Sequence, residues 1–329
     1  MTTVWRMHTK TSTDDGDKNI AQYLFDNNIL AIGWSLKDSH LVGVIKEEDM
    51  AKVIEERSKI ETIDNYDDFC NKYMIYSGGV NKSVRMFTRH IKKGDLIWIR
   101  YEGIYYLARF NSNSQIIYKC IDETMKYDAC LQITNVNWQK IGDERSIPGA
   151  VATSFTPSAT IQRILKEGVK EFSEIAYDKK AGTNYYEEAK NNFTKDVFFN
   201  FIFPDDCEDL LCMYLNKTKG YVVIPSSNKK STPLYECILL DIYTGKKIYI
   251  QVKKGEDDLY PDKYTHLDGE VYLLTTAGQV VGYDKEKHKN IKVVDPDDLF
   301  NFVKVKEFNT CLPESIRFWI EYLNDSDKN

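Results

Sequence analysis

Apolar positions recur at strand or helix spacing through most of the chain and sort it into two runs of elements. The first run opens with a strand over 4–9, a polar loop over 11–17 and a short helix over 19–27 with Ile20, Tyr23 and Leu24 on one side. Residues 29–34, ILAIGW, read as an apolar strand. Helical spacing follows over 47–59, 66–75 and 82–91, where Val84, Phe87 and Ile91 line one face. Gly94-Asp95 then introduces GDLIWIRYEGIYYLARF, a hairpin turning at Glu102-Gly103, and further strands cover 116–120 and 130–141. Short strands mixed with a few helices predict a small, half-open β-barrel.

Pro148-Gly149 interrupts regular structure within 144–156. The spacing then predicts a helix over 157–166 with Ile161, Ile164 and Leu165 on one face, followed by a polar, charged stretch over 167–184. Three segments result: 1–150, a connection over 151–183, and 184–329. The last opens with an aromatic stretch closed by Pro204. Asp205-Asp206 caps a helix over 207–217 whose buried stripe is Leu211, Tyr214 and Leu215. A strand over 221–224 and a polar loop over 225–233 lead to two strands, 235–242 and 246–253, joined at Thr244-Gly245. Strands over 270–275 and 279–283 and helices over 296–303 and 314–323 complete it. The expected fold class is α+β in two domains, the second a mixed sheet flanked by helices.

The hairpin at 235–253 concentrates the chemistry. With Thr244 and Gly245 as the central turn residues, Glu236 faces Lys253 and Ile238 faces Gln251. Alternation then puts Glu236, Gln251 and Lys253 on one face and Asp241 on the other. A carboxylate, an amide and an ammonium at one end of a hairpin suit metal-assisted phosphodiester cleavage. The carboxylate holds Mg²⁺, the metal lowers the pKa of a bound water, and the lysine orients that water or neutralises developing charge. An ordinary amphipathic hairpin with a solvated charge pair gives the same pattern. Glu208, in the first turn of its helix, either complements the helix dipole or joins Glu236 as a second acid.

Composition narrows the alternatives. The net charge of −6 excludes a protein that coats nucleic acid with a global basic field, so any such binding uses local patches. Arg85 and Arg89 with Lys92-Lys93 form one, and Lys229-Lys230 and Lys246-Lys247 form others. Seven scattered cysteines without a CxxC pair argue for reduced thiols and against a zinc site, and they point to the cytoplasm. None of the five histidines has HxH or HExxH spacing, and no GxxxxGK[ST], GxSxG or GxGxxG occurs. No apolar run approaches the ~18 residues of a membrane span, so no membrane partner is expected.

Glu236 followed by Gln251-Val252-Lys253, on a hairpin after a helix carrying Glu208, resembles the PD-(D/E)xK restriction-endonuclease fold, and most of all its Mrr-like branch, where glutamine replaces the second acid. The first acid, usually Asp in that family, is Glu236 here. The resemblance implies a metal site of Glu236, Glu208 and the Val252 carbonyl for Mg²⁺ or Mn²⁺, with Glu236, Gln251, Lys253 and Glu208 catalytic. In the first run, the segment 30–34, KKGDLIWIR and YYLARF together resemble the PUA-like superfamily, in particular its EVE branch. Its members hold a modified or flipped base between aromatic walls. Trp34, which ends a strand and leads into a polar loop, and Trp98 are the aromatic candidates, although core packing is the plain use of a tryptophan. Tyr76 and Ser77, before Gly78-Gly79, would form another wall, with Arg85 and Arg89 nearby. The expected protein is a modification-dependent DNA endonuclease of type IV restriction, acting on DNA with a modified base, with a homodimer left open. The second reading is a non-catalytic or RNA-directed binding protein with a degenerate nuclease fold.

Overall fold

The computed structural model describes residues 2–13, 16–41, 45–74, 81–156, 159–166, 168–186, 194–227 and 234–326. The chain is mixed α+β and divides into two compact units, Met1–Glu187 and Glu188–Asn329. Strands of the first unit are β1 (Val4–Met7), β2 (Lys10–Thr13), β3 (Gly16–Asn19), β4 (Leu30–Ala31), β5 (Leu96–Tyr101), β6 (Ile104–Arg109), β7 (Ile116–Tyr118), β8 (Leu131–Ile133), β9 (Asn137–Gly142) and β10 (Ile161–Arg163). Its helices are α1 (Ala21–Asp26), α2 (Asp38–Leu41), α3 (Glu47–Ser58), α4 (Ile63–Tyr73), α5 (Lys82–Arg85), α6 (Asp122–Lys126), α7 (Gly149–Ser154) and α8 (Val169–Ala181).

These strands form a five-stranded sheet in the order β10-β1-β5-β6-β9, a three-stranded sheet β4-β8-β7 and the hairpin β2-β3, and no closed barrel forms among the described residues. The central strand β5 runs parallel to β1 and antiparallel to β6. Leu96, Ile97, Trp98 and Ile99 are all buried, as a strand covered on both faces requires. On one face Ile97 and Ile99 join Trp5, Met7, Leu24, Val53, Phe69, Phe87 and Leu131 in the main core. On the other face Trp98 packs against α8, its ring 6.4 Å from Phe172. The β5–β6 turn, Glu102-Gly103, has positive φ at both residues (49° and 77°), the geometry that matches strand twist in a two-residue hairpin. Asp95 is buried and ties the start of β5 to β1. It accepts from the Thr3 N–H at 2.9 Å, the Trp5 indole N–H at 2.9 Å and the Lys92 N–H at 3.0 Å.

Two elements in the segment expected to connect the domains differ from the sequence expectation. The segment 157–166 contains a strand, β10, because it completes the free edge of β1, with Met7 opposite Ile161 and Trp5 opposite Arg163. Leu165, expected on a buried helix face, is 85% exposed. The polar stretch 167–184 carries α8, bounded by Gly168 and Gly182 at positive φ. Val169, Phe172, Ser173, Ala176 and Tyr177 give α8 a buried stripe at helical spacing beneath its charged majority. The segment set apart as a connection therefore supplies an edge strand and a covering helix to the first unit.

The second unit contains α9 (Lys195–Phe201), α10 (Pro204–Lys219), α11 (Pro296–Lys304) and α12 (Glu314–Ser326). Its sheet is β11 (Val222–Val223), β12 (Cys237–Leu240), β13 (Lys247–Lys253), β14 (Glu270–Thr275) and β15 (Ile291–Val293), in that spatial order. β12 and β13 pair antiparallel, whereas β13, β14 and β15 are parallel. The expected strand over 279–283 reduces to a single bridge between Leu259 and Val280. α10 packs on one face of the sheet through Cys212 against Cys237, and α11 packs on α10. The irregular crossovers 254–269 and 276–290 cover the other face, where Leu259, Tyr264 and Val280 meet Tyr249, Val271 and Leu273.

Asp206 anchors the start of α10. Its carboxylate accepts from the Phe203 N–H at 3.0 Å and from the Ser315 hydroxyl of α12 at 2.7 Å. Burial pushes its pKa up to about 6, against the pull of those two donors. Because the folded-state pKa is raised, the stability it contributes is complete below the unfolded value near 3.8 and is lost as pH rises through about 6. Urea unfolding between pH 4 and pH 8 should therefore find Asp206→Asn more stable than the parent by roughly 2–3 kcal/mol above pH 7. The two proteins should converge near pH 4. A difference independent of pH would refute this account.

Candidate functional site

β12 and β13 are joined by a four-residue loop, 242–245, two residues longer than the expected turn. Asp241 makes the loop. Its N–H donates to the Lys246 carbonyl at 3.0 Å, and its side chain accepts from the Tyr243 N–H at 2.9 Å and the Thr244 hydroxyl at 2.8 Å. The pairing is therefore Cys237 with Ile250 and Leu240 with Lys247. Continuing that register brings Glu236 beside Gln251, where the sequence expectation had Lys253. A slip of two residues keeps every side chain on its face, so Glu236, Gln251 and Lys253 still share one.

Gln251 is 1% exposed, at the centre of the sheet. Its Nε2 donates to Glu236 Oε1 at 2.7 Å and contacts the Val252 carbonyl at 3.3 Å. The Glu236 oxygen selects this orientation as an acceptor, because only the amide nitrogen can donate to it. The opposite end of the amide, Oε1, is buried and has no hydrogen-bond partner among the described residues. Lys253 lies two residues on, half-buried, and among the described residues its ammonium makes no hydrogen bond or ion pair. Opposite Lys253 in β14 stands Thr275. Its hydroxyl donates to the Asp257 carbonyl at 2.9 Å and accepts from the Gly278 N–H at 3.1 Å, joining the two loops that follow β13 and β14. Tyr264 is buried against the same end. Burial foremost, and the Glu236 charge after it, raise its hydroxyl above the usual phenol range.

Glu208 sits on α10, four residues before Cys212 and thus on the same side of that helix. Glu208 and Glu236 both act electrostatically on the Cys237 thiol. A hydrogen bond from the amide joins Glu236 to Gln251 directly, whereas Glu208 stands on the α10 side of the sheet, the side that Cys237 faces. Among the described residues no group of three or more His, Cys, Asp and Glu side chains is arranged to hold a metal ion. The oxygen donors at the hairpin are one carboxylate, one amide and one main-chain carbonyl, a hard set of the kind Mg²⁺ and Mn²⁺ take.

In the first unit the loop Gly33–Leu36 has an uncommon backbone, with φ of 84° at Gly33, 62° at Trp34 and 55° at Leu36. Side chains distant in sequence hold it. The hydroxyl of Tyr66 donates to the Trp34 carbonyl at 3.0 Å, that of Tyr118 to the Ser35 carbonyl at 2.7 Å, and Arg57 to the Leu36 carbonyl at 2.8 Å. Asp128 accepts from the Ser35 N–H at 2.9 Å. A Cβ at Gly33 would come within 3.0 Å of the Asp128 carboxylate and the Thr11 hydroxyl. Trp34 is half-buried against the core, while Ser35 and Leu36 are buried.

The other proposed base contacts separate. Trp98 is fully buried, its indole N–H donates to the Ser173 hydroxyl at 2.9 Å, and it is a core residue, not a pocket wall. It alternates with buried neighbours on both sides because β5 is covered on both faces. Arg89 pairs with Asp64 at 2.7 Å and with Asp67, so its charge is spent on α4. Arg85 is exposed. Tyr76 and Ser77, like Lys229 and Lys230, lie outside the described residues. Sequence reasoning missed Arg57, Tyr66, Tyr118 and Asp128, whose roles depend on contacts 21 to 93 residues away.

Comparison with protein-family models, with curated proteins and with solved structures returns no match to this chain. Among the described residues no helix is long and apolar enough to cross a membrane. The geometry at residue 34 makes a sharp prediction about stability. A left-handed φ costs a side-chain-bearing residue about 1–2 kcal/mol and costs glycine little. Trp34→Gly should accordingly be more stable than Trp34→Ala by about 1 kcal/mol in urea unfolding. The usual order, with alanine the more stable, would mean that the loop relaxes once the indole is gone.

Proposed function

We propose that this protein is a modification-dependent DNA endonuclease, in which the second unit cuts phosphodiester bonds with Mg²⁺ or Mn²⁺ and the first reads a modified base. In family terms it is an EVE-type, PUA-like reader joined to an Mrr-like PD-(D/E)xK nuclease, a pairing suited to type IV restriction of foreign DNA. The observation that carries this reading is the Gln251 amide. A buried oxygen acceptor with no partner among the described residues is uncommon and costly, and a bound cation would satisfy it. The residues supply the hard oxygens such a cation takes: Glu236 and the Val252 carbonyl lie at the Nε2 end of the amide, so holding it together with Gln251 Oε1 would require the amide to turn over and give up its bond to Glu236, and Glu208 would be the further acid from α10.

When bound, the cation supplies a coordinated water of lowered pKa and charge compensation at the phosphoryl oxygens. The chain's own residues do the rest. Glu236 holds the Gln251 amide so that Oε1 is turned away from the carboxylate. Lys253, free of ion pairs among the described residues, is available to orient the attacking water or to neutralise charge gathering on the phosphate. In the first unit Trp34 offers an indole face on a clamped loop. Stacking on an extruded base contributes ~1–3 kcal/mol, enough to offset much of the cost of extrusion.

Cleavage assays on DNA with and without modified bases test the catalytic half. Lys253→Ala and Glu236→Gln should each lower Mg²⁺-dependent cleavage by roughly 100-fold or more while leaving the circular dichroism spectrum unchanged. Cleavage that persists in Lys253→Ala, or in excess chelator, would rule this mechanism out. Binding measurements test the reading half. Trp34→Ala should weaken binding to modified DNA by ~1–3 kcal/mol and leave unmodified DNA nearly unaffected. Equal losses on both DNAs would assign Trp34 to packing.

A further inference from the structure

The thiols of Cys212 on α10 and Cys237 on β12 are in contact, Sγ to Sγ 3.6 Å, although they are 25 residues apart in the chain. Both are buried, at 9% and 5% exposure. Sulfur atoms at that separation touch without bonding, and a disulfide needs about 2.0 Å. We propose that Cys212 and Cys237 are a redox pair that closes reversibly to a disulfide, fastening α10 to the sheet one residue from Glu236.

The pair's surroundings fit that role. A third ligand for a soft metal is missing among the described residues, so the two thiols face each other as a dithiol. The oxidant is a small hydroperoxide, the class of molecule able to reach sulfurs this enclosed. The Cys237 thiolate attacks one peroxide oxygen, the O–O bond breaks and the other oxygen leaves with a proton, giving a sulfenic acid at Cys237. Cys212 sulfur then attacks the Cys237 sulfur, the S–S bond forms and the S–O bond breaks, releasing water. Two thiols lose two electrons, the peroxide gains them, and two waters form from hydrogen peroxide.

The bond is detected by mass, so this proposal stands or falls separately from the nuclease reading. The reduced full-length protein is treated with hydrogen peroxide, its remaining thiols are alkylated, and it is digested without reductant. A peptide pair joining Cys212 to Cys237 is expected, together with an unfolding temperature raised by several degrees, both reversed by dithiothreitol. Cys212→Ala should fold and show neither change, and Cys237→Ser provides the same comparison where that variant folds poorly. Cys311 is exposed and reports the oxidant dose. Recovery of Cys212 and Cys237 as separate, unlinked peptides at a dose that oxidises Cys311 would overturn the proposal.

Discussion

A strand covered on both faces offers a polar side chain no water, so whatever hydrogen bonds it makes must come from its neighbours. β13 is such a strand over most of its length, and Gln251 is a polar side chain buried within it. The hairpin loop built by Asp241 sets the pairing, and the pairing delivers the Glu236 carboxylate to Gln251 Nε2. α10 closes the sheet behind, and the two crossovers close it in front. What is left over is one acceptor oxygen, Gln251 Oε1, in a place that solvent does not reach. The cation-binding proposal begins from that remainder.

The first unit solves a related problem by different means. Its Gly33–Leu36 loop turns through backbone angles that side chains resist, and three consecutive carbonyls are each held by a side chain from elsewhere. Strain of this kind persists only where the surroundings over-determine it. The result is a half-buried indole on a stiff support, which suits stacking because little conformational freedom remains to be lost on binding. Asp95 works to a different end: it takes three donors and is wholly satisfied, so it joins β1 to β5 and leaves nothing for a ligand.

Legibility followed the range of the forces involved. The β5–β6 hairpin, the helix after Pro204 and the strand Glu270–Thr275 were readable because their signals are local: a turn dipeptide, a cap, an alternating apolar run. The common face of Glu236, Gln251 and Lys253 was readable for the same reason. β10 was not, because Ile161–Arg163 is a strand only on account of the edge that β1 presents to it. α8 was hidden by its charged surface, although the stripe from Val169 to Tyr177 lay beneath. Trp98 and Trp34 look alike as sequence, and only the packing of Phe172 and Ser173 on one of them tells them apart. The holders of the Trp34 loop could not be found locally, since Asp128 and Ser35 are 93 residues apart.

The position of the hairpin turn also works as a ruler. Strand residues are spaced by about 3.3 Å, so re-centring the turn by one residue moves the acid two residues along the facing strand, roughly 7 Å, without turning it to the other face. With loop 242–245, the acid meets the amide and the ammonium stands clear. A turn centred on Thr244-Gly245 would set the acid opposite the ammonium, and the two charges would pair with each other. Asp241, by fixing at an exposed tip where the turn is centred, therefore decides which partner the acid meets between buried strands.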